Sequence, residues 1–583
     1  MSDNYEFSRS QVTQGIGRST PYVDKNFQYL VDINNGVYSN SGLTQVNFDL
    51  GSIFNSNKMV DMSQGYICIP ITVAGAYSSL EDSTPLTPAQ VASEADVASA
   101  NTNIELGLKS GFWNLIHQAE LTLDGKQIEQ TQSFLNQYVQ LKLMSQMCQD
   151  DLNSFGQSLG VGTCIEPTDT IQYHNKASSV SATTGSKDGN GIVNNNYKTN
   201  DSFASRQSMV TDLTDSKNAL YSENSVVGGS LNSRNEMNAE DRSYFCMSGT
   251  STMVRYYTAI IRLKDIFDSM NVMPLTRRFS GFLRLWVNTG TLSVIGGPEN
   301  AMTFSATSTN FTNTCPLLIS QPKKPTREAI NYNLVAGVFI VKPPQSVTKG
   351  VNLSNISSHS IPSCRLYYPQ VTVKEEKLQP YIDSNRTKTL NWTNIYSNTY
   401  NNITAGSSFN QLVLTGIPKI KGVWIIPYLS ARQNGLLNES ATATNNMPDV
   451  MGFAQYASPF DTCPATNAPI SLTNLNVAIG GQNVFQNNQF YTFSNFMENI
   501  CLYDKINASD FGLSCGLISQ QDWEQGCRWY FIDCSRGNIA DDLTPRSLVV
   551  SFNVNCRSDV DIIIYTEYQT EVTIDVMTSA ITM

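Results

Sequence analysis

An all-β chain folded as two related β-sandwiches in tandem is what this sequence predicts, on three observations. First, residues 119–144, AELTLDGKQIEQTQSFLNQYVQLKLM, are echoed by residues 475–500, LNVAIGGQNVFQNNQFYTFSNFMENI. One constant offset lays Leu121 on Val477, Leu123 on Ile479, Gly125 on Gly481, Ile128 on Val484, Gln130 on Gln486 and Phe134 on Phe490. Second, residues 275–288, LTRRFSGFLRLWVN, are echoed by residues 543–555, LTPRSLVVSFNVN, in the same order along the chain but after loops of different length. Third, the apolar segments alternate with period two, as strands with one buried face do. A duplicated β-domain with a longer insertion in its first copy accounts for all three.

Each copy of the first echo describes one local structure. Leu121 and Leu123 lead into the turn Asp124-Gly125, and Val477 and Ile479 lead into Gly480-Gly481. Both pairs tolerate the positive φ that a tight hairpin demands. A short second strand follows, then a helix with apolar spacings of three and four. Phe134, Leu135, Tyr138 and Leu141 form its stripe in one copy, and Phe493, Phe496, Met497 and Ile500 in the other. The second echo is a Leu-Thr-x-Arg turn and a strand, with Leu283, Leu285 and Val287 answered by Leu548, Val550, Phe552 and Val554.

Taken in order, residues 1–40 are polar and weakly periodic and predict an N-terminal arm that orders against a partner. The first sandwich is expected over 41–375. Val46, Phe48 and Leu50 alternate, as do Ile67, Ile69, Ile71 and Val73, and residues 78–104 form a loop. A long polar insertion occupies 175–242, where a capping loop packed on other copies is the expectation. Strands resume at 253–263, a short helix at 264–270 precedes the strand at 281–288, and LVAGVFIV supplies one more before the closing strand 364–373. The linker KEEKLQPYIDSNRTK reads as a helical turn broken by Pro380. The second sandwich is expected over 376–575, with strands near 391–396, 409–415, 419–427, 528–534, 547–555 and 560–568, a polar loop over 429–472, and a C-terminal tail at 576–583. About eight strands per unit, with a helix after the fourth or fifth, match the eight-stranded jelly roll, so the fold class is an all-β tandem double jelly roll with short helices and long surface loops.

Composition narrows the function. With 583 residues the chain exceeds one core, and with 15% charged residues it is poor in charge. Such a surface suits extensive cover by neighbours. A net charge of −11 argues against direct condensation of nucleic acid, which needs clustered Lys and Arg. The 12 cysteines contain no Cys-x-x-Cys, several sit in strand contexts such as YICIPITV, and they read as reduced thiols of a protein assembled inside a cell. The N-terminus has no apolar signal core, and no apolar run is long enough to span a membrane. Sequons such as Asn391-Trp-Thr and Asn438-Glu-Ser are therefore expected to stay unmodified.

A catalytic reading finds little to use. Of the 3 histidines, His117 is expected to pack at a strand edge, and His174 and His359 to be solvated. No HExxH, Gly-x-Ser-x-Gly, P-loop or Gly-x-Gly-x-x-Gly is present. The Cys-rich stretch 501–534 lacks metal spacing. Residues 188–196, DGNGIVNNN, resemble a calcium loop but place Thr199 where the bidentate Glu belongs. The pairs Asp150-Asp151, Glu375-Glu376 and Asp541-Asp542 suit helix ends and turns, and Arg278 and Arg546 suit anchors of the loop before a strand. No catalytic, cofactor-binding or metal-ligating residue is assigned, and no cofactor. A carbohydrate-binding or glycan-degrading β-rich protein fits the Tyr, Trp and Asn content, but isolated carboxylate motifs are absent.

Residues 364–392 (CRLYYPQVTVKEEKLQPYIDSNRTKTLNW), 119–130 (AELTLDGKQIEQ), 483–500 (NVFQNNQFYTFSNFMENI) and 529–555 (WYFIDCSRGNIADDLTPRSLVVSFNVN) resemble the major capsid proteins of virophages and polinton-like viruses. That family belongs to the double jelly-roll lineage of adenovirus hexons and tectivirus coats. The likeness covers roughly 40–575 at the level of pattern, and the loops 78–104, 175–242 and 429–472 lie outside it. It implies a non-enzymatic protein whose homotrimer forms a pseudo-hexagonal capsomer tiling an icosahedral shell around double-stranded DNA. The loops at 175–242 and 429–472 would rise outward. The arm and tail would face neighbouring capsomers, pentons and minor or cement proteins. The alternatives are a carbohydrate-binding or glycan-degrading β-rich virion protein, and a penton-like minor virion protein, which normally has one jelly roll and is shorter.

Overall fold

The computed structural model describes residues 22–53, 58–79, 105–130, 133–161, 245–246, 252–296, 305–309, 314–320, 332–343, 353, 356, 358–430, 454–459, 463–467, 470–504, 515–535, 544–578 and 580–582, apart from 279 and 557. The eight principal strands of the first sandwich are β1 (Tyr22–Val31), β2 (Leu43–Asp49), β3 (Tyr66–Ser79), β4 (Ile116–Leu123), β5 (Lys126–Gln130), β6 (Thr252–Arg262), β7 (Gly281–Asn288) and β8 (Arg365–Val373). One sheet runs β1-β8-β3-β6 and the other β2-β7-β4-β5, every pair antiparallel.

The second sandwich repeats this order. Its strands are β9 (Thr387–Ile403), β10 (Ser408–Ile417), β11 (Ile420–Leu429), β12 (Ser471–Ile479), β13 (Gln482–Asn483), β14 (Tyr530–Asp533), β15 (Arg546–Asn555) and β16 (Val560–Asp575). They form the sheets β9-β16-β11-β14 and β10-β15-β12-β13. Each strand number is the first sandwich's number raised by eight. This is the jelly-roll order twice over, and the tandem double jelly roll is the observed fold.

Both echoes fall on equivalent elements. The first is the β4–β5 hairpin followed by helix α1 (Leu135–Gln146), and again the β12–β13 hairpin followed by a later helix of equal length, Phe493–Asp504. Asp124 and Gly125 have φ of 51° and 71°, and Gly480 and Gly481 of 58° and 82°, as the turns require. The second echo is β7 and β15, each the strand between two partners of its sheet. Their alternating residues enter the cores: Leu283, Leu285 and Val287 below β2 and β4, and Leu548, Val550, Phe552 and Val554 below β10 and β12.

The structure departs from the sequence expectations at several places. Tyr22–Val31, expected within the arm 1–40, is strand β1, paired with β8 from Tyr22↔Val373 to Val31↔Arg365. Its alternation, Phe27, Tyr29 and Val31 against Asn26 and Gln28, is short and lies within a polar stretch, so the period-two signal is weak. Residues 374–386 are not a broken turn: α2 (Glu375–Asn385) runs through Pro380, with Glu375 and Glu376 in its first turn. The polar loop 429–472 is partly interior. Ser458, Cys463, Ala465, Thr466 and Asn467 are buried, Trp529 Nε1 donates to the Ala465 carbonyl at 2.7 Å, and Asn467 Nδ2 donates to that of Pro427 at 2.8 Å. Its polar side chains look like loop residues but have hydrogen-bond partners inside. The tail at 576–583 contains a strand, Ile581–Thr582, folded back on β16. The first sandwich also extends its β1-containing sheet beyond β3 with Tyr332–Ile340, Gly290–Gly296 and Ser305–Thr309. The loop 80–104, His174, the insertion 175–242, the segment 188–196 and the pair Asp541-Asp542 lie outside the described residues.

Gly281 sits where β7 comes closest to β4: a Cβ there would lie 1.8 Å from the Thr122 carbonyl oxygen. Gly281→Ala must therefore push the two strands apart. The expected loss is about 1–3 kcal/mol or more of stability, read as an earlier midpoint in chemical denaturation, whereas alanine at the open turn position Gly481 costs only the strain of a positive φ.

Candidate functional site at the seam of the two sandwiches

The third helix, α3 (Phe493–Asp504), and α1 occupy equivalent places, but only α1 is enclosed on almost every side. It lies between its own sandwich and the outer face of the β9-β16-β11-β14 sheet. Strands β11 and β16 are accordingly buried on both faces. Val423, Ile425, Ile562 and Ile564 point into the second core, while Trp424, Tyr428, Tyr565 and Glu567 turn toward α1.

Glu567 is the centre of this contact. Its Oε1 accepts the Tyr138 hydroxyl of α1 at 2.8 Å and Trp424 Nε1 at 2.7 Å, and its Oε2 accepts the Tyr503 hydroxyl of α3. A buried carboxylate is tolerated only when such donors replace its water. Around it, the Tyr565 hydroxyl donates to the Phe134 carbonyl at 2.8 Å, and the Tyr428 hydroxyl reaches Gln137 Oε1 at 3.1 Å. Lys109 Nζ donates to the Ser458 carbonyl at 2.6 Å. Phe134 holds φ at 66°, a left-handed conformation costly for a bulky residue, and its ring lies edge-on to His117 and to Tyr456 of the second sandwich.

A second polar staple lies beside it. Asp268 Oδ2 accepts the Thr393 N–H of β9 at 2.9 Å, and its Oδ1 pairs with Lys142 of α1 at 3.2 Å. Burial opposes ionisation of Asp268, but Lys142 and the Thr393 N–H outweigh it and hold the carboxyl below its usual range. Glu129 accepts the N–H groups of Asp268 and Ser269 at 3.0 and 3.1 Å. Burial raises Glu129 to about 7, with the Asp268 charge acting in the same direction. The far end of the seam is closed by backbone. Lys126 Nζ and Asp124 Oδ2 bracket Ile581, the Arg277 N–H donates to the Val576 carbonyl, and the Tyr381 hydroxyl of α2 donates to that of Leu275.

The residues weighed for chemistry are scattered rather than gathered. His117 is buried in β4, and burial lowers it to about 4. His359, expected to be solvated, is buried, with Nδ1 accepting the Ile361 N–H. Asp151 caps the start of its own short helix, Arg278 is exposed, and Arg546 lies against Gly480 of the β12–β13 turn. Among the described residues no group of His, Cys, Asp and Glu could hold a metal ion, no helix is long and apolar enough to cross a membrane, and the cysteines are free thiols. Burial raises the thiols of Cys68 and Cys315 to about 11. Of the residues that matter most at the seam, Tyr138 is marked by the sequence only as part of an apolar helix stripe, and Glu567 and Trp424 carry no mark of their own. Their strands are marked by the runs VDIIIYTEY and IKGVWIIPY, apolar at consecutive positions as in strands buried on both faces.

Fold and seam together define a class: a tandem jelly-roll protein whose two units are locked as one body. No protein-family model matches the chain, and no curated protein does. Among solved structures it is similar to a chain of the Sputnik virophage, at 9% identity over 98% of this chain and 90% of that one, with a TM-score of 0.47. It is also similar to the mavirus major capsid protein, at 9% identity over 100% and 94% of the two chains with a TM-score of 0.38. The Faustovirus major capsid protein matches at 9% identity over 96% and 92%, also at 0.38.

Two outcomes test the seam. Glu567→Ala strands three buried donors and is expected to cost about 3–5 kcal/mol, whereas Tyr138→Phe, which removes one, costs about 1 kcal/mol, both read by denaturant titration. Glu129 carries a raised folded-state pKa, so its contribution is full below 4.5 and is lost as the pH rises through about 7. Wild type is therefore expected to lose stability relative to Glu129→Gln across that window, at up to roughly 1.4 kcal/mol per pH unit. An unchanged difference between the two proteins at both ends of the window refutes the assignment.

Proposed function

We propose that this chain is a major capsid protein: a homotrimeric, pseudo-hexagonal capsomer that tiles an icosahedral shell around a double-stranded DNA genome, assembled inside the host cell. The observation that carries the reading is the packing together, in one chain, of two jelly rolls of identical strand order. One polypeptide then fills two of six corners, and three polypeptides imitate a hexagon while obeying threefold symmetry. The two units are related but not identical, as lateral contacts with different neighbours in such a lattice require.

The chemistry agrees with a structural role. The seam's ionisable groups Glu567, Asp268 and Lys109 are engaged in bonds that cross between the sandwiches, and Glu129 braces the Asp268 backbone from within the first. A net charge of −11 leaves neutralisation of the genome to other proteins or to cations. Pentons and minor or cement proteins are the further partners this reading requires.

The native mass of the purified protein tests the proposal. A stable assembly near three times 64.4 kDa, or closed shells in electron micrographs, is the expected result. A monomer at micromolar concentration, with turnover on glycan substrates, would overturn it in favour of a glycan-degrading virion protein.

A further inference from the structure

The two repeats differ in what covers them. On the outer face of the second sandwich, Ser397, Tyr565, Trp424 and Phe531 are direct partners in a row across β9, β16, β11 and β14. The segment entering α1 lies on that row. The Ser397 hydroxyl donates to the Ser133 carbonyl at 3.0 Å, and the Tyr565 hydroxyl donates to that of Phe134 at 2.8 Å. Phe134 itself is 9% exposed.

The corresponding strands of the first sandwich, β1, β8, β3 and β6, carry the row Tyr29, Tyr367, Tyr66 and Arg262. Aromatic residues again hold the two central strands, with Tyr66 and Tyr367 stacked at 5.0 Å, and the Arg365 guanidinium lies 4.9 Å from the Tyr29 ring. Here the surface is open. Tyr29 is 54% exposed and Phe27, beside Tyr66, is 50% exposed. The element that ought to cover it is open too. Phe490, which the sequence echo aligns with Phe134 but which stands three residues rather than one ahead of its helix, is 67% exposed. Helix α3 leaves Ser494 and Glu498 exposed and Phe493 and Met497 half-buried, whereas every residue of α1 but Lys142 and Gln146 is buried.

We propose that Phe490 and the open side of α3 dock on the Phe27, Tyr29, Tyr66, Tyr367 and Arg365 surface of a second copy of this chain. The contact repeats between molecules what Phe134 and α1 make within one. It joins unlike surfaces, so it runs head to tail and closes into a ring when the rotation per step allows. An aromatic ring set on tyrosines and a guanidinium is the chemistry that enriched interface cores show. The inference rests on the capsomer reading and names the contact that reading requires.

The test uses Phe490→Asp and the double variant Phe27→Asp/Tyr29→Asp, both at positions exposed in the single chain. Native mass is measured by sedimentation, and folding is checked by circular dichroism. Wild type is expected to be trimeric and each variant a folded monomer. An equimolar mixture of the two variants is expected to give dimers and nothing larger, since only one helix and one surface remain compatible. The milder Phe490→Ser and Tyr29→Ser are read alongside, and weaken the trimer on dilution, so a misfolded aspartate variant still leaves a reading. Trimeric variants, or a mixture that stays monomeric, overturn the docking surface while leaving the capsomer proposal standing. A monomeric wild type overturns both.

Discussion

The buried carboxylate of Glu567 has to be hydrogen-bonded, and two of its donors come from opposite sides of a domain boundary. Tyr138 belongs to the first sandwich and Trp424 to the second. The second sandwich supplies one donor to each oxygen, Trp424 and Tyr503, and Tyr138 adds the donor that crosses the boundary. In low-dielectric surroundings the loss of such a donor is costly, so the contact ties the two sandwiches together. Inter-domain contacts within a chain are usually polar and mobile. Here the buried residues of both units form one continuous apolar cluster.

That constraint explains where the two repeats diverged. The hairpin, its turn glycines and the helix that follows are common to both, because each sandwich needs them to close its own fold. The residues at the start of the helix are free to differ in environment. Phe134 accepts a left-handed backbone because Tyr565 holds its carbonyl and two rings flank its side chain. Phe490 meets no such enclosure within the chain. Duplication supplied two equivalent helices and two equivalent sheet faces, and one helix–face pair is used up internally. The other pair is what a ring of copies requires.

The acid–base behaviour of the seam follows from the same enclosure. Asp268 is stabilised as an anion by Lys142 and by a backbone N–H from the partner sandwich, so its contribution is lost as the pH falls through its lowered pKa. His117 is held neutral by burial, and its contribution is lost as the pH falls from 6.5 through about 4. Glu129 acts with the opposite sign. All three sit at or next to the junction, so the junction's stability depends on pH.

The strands that carry the echoes, the helix after each hairpin and the position of both repeats were legible in the sequence because they rest on local rules: period-two burial in β4, β7 and β15, and φ-permissive pairs at Asp124-Gly125 and Gly480-Gly481. What escaped has equally local reasons. Strand β1 is an exposed edge, so Asp24, Asn26 and Gln28 cost nothing there, and only the short alternation of Phe27, Tyr29 and Val31 marks it. The buried part of the 454–467 loop is polar because its groups are hydrogen-bonded inside, which composition cannot register. Only the tertiary structure could pair Glu567 with Tyr138, 429 residues apart, or distinguish Phe134 from Phe490. Periodicity states which face of an element is apolar, but the partner that covers that face is decided by the packing of distant chain segments in three dimensions.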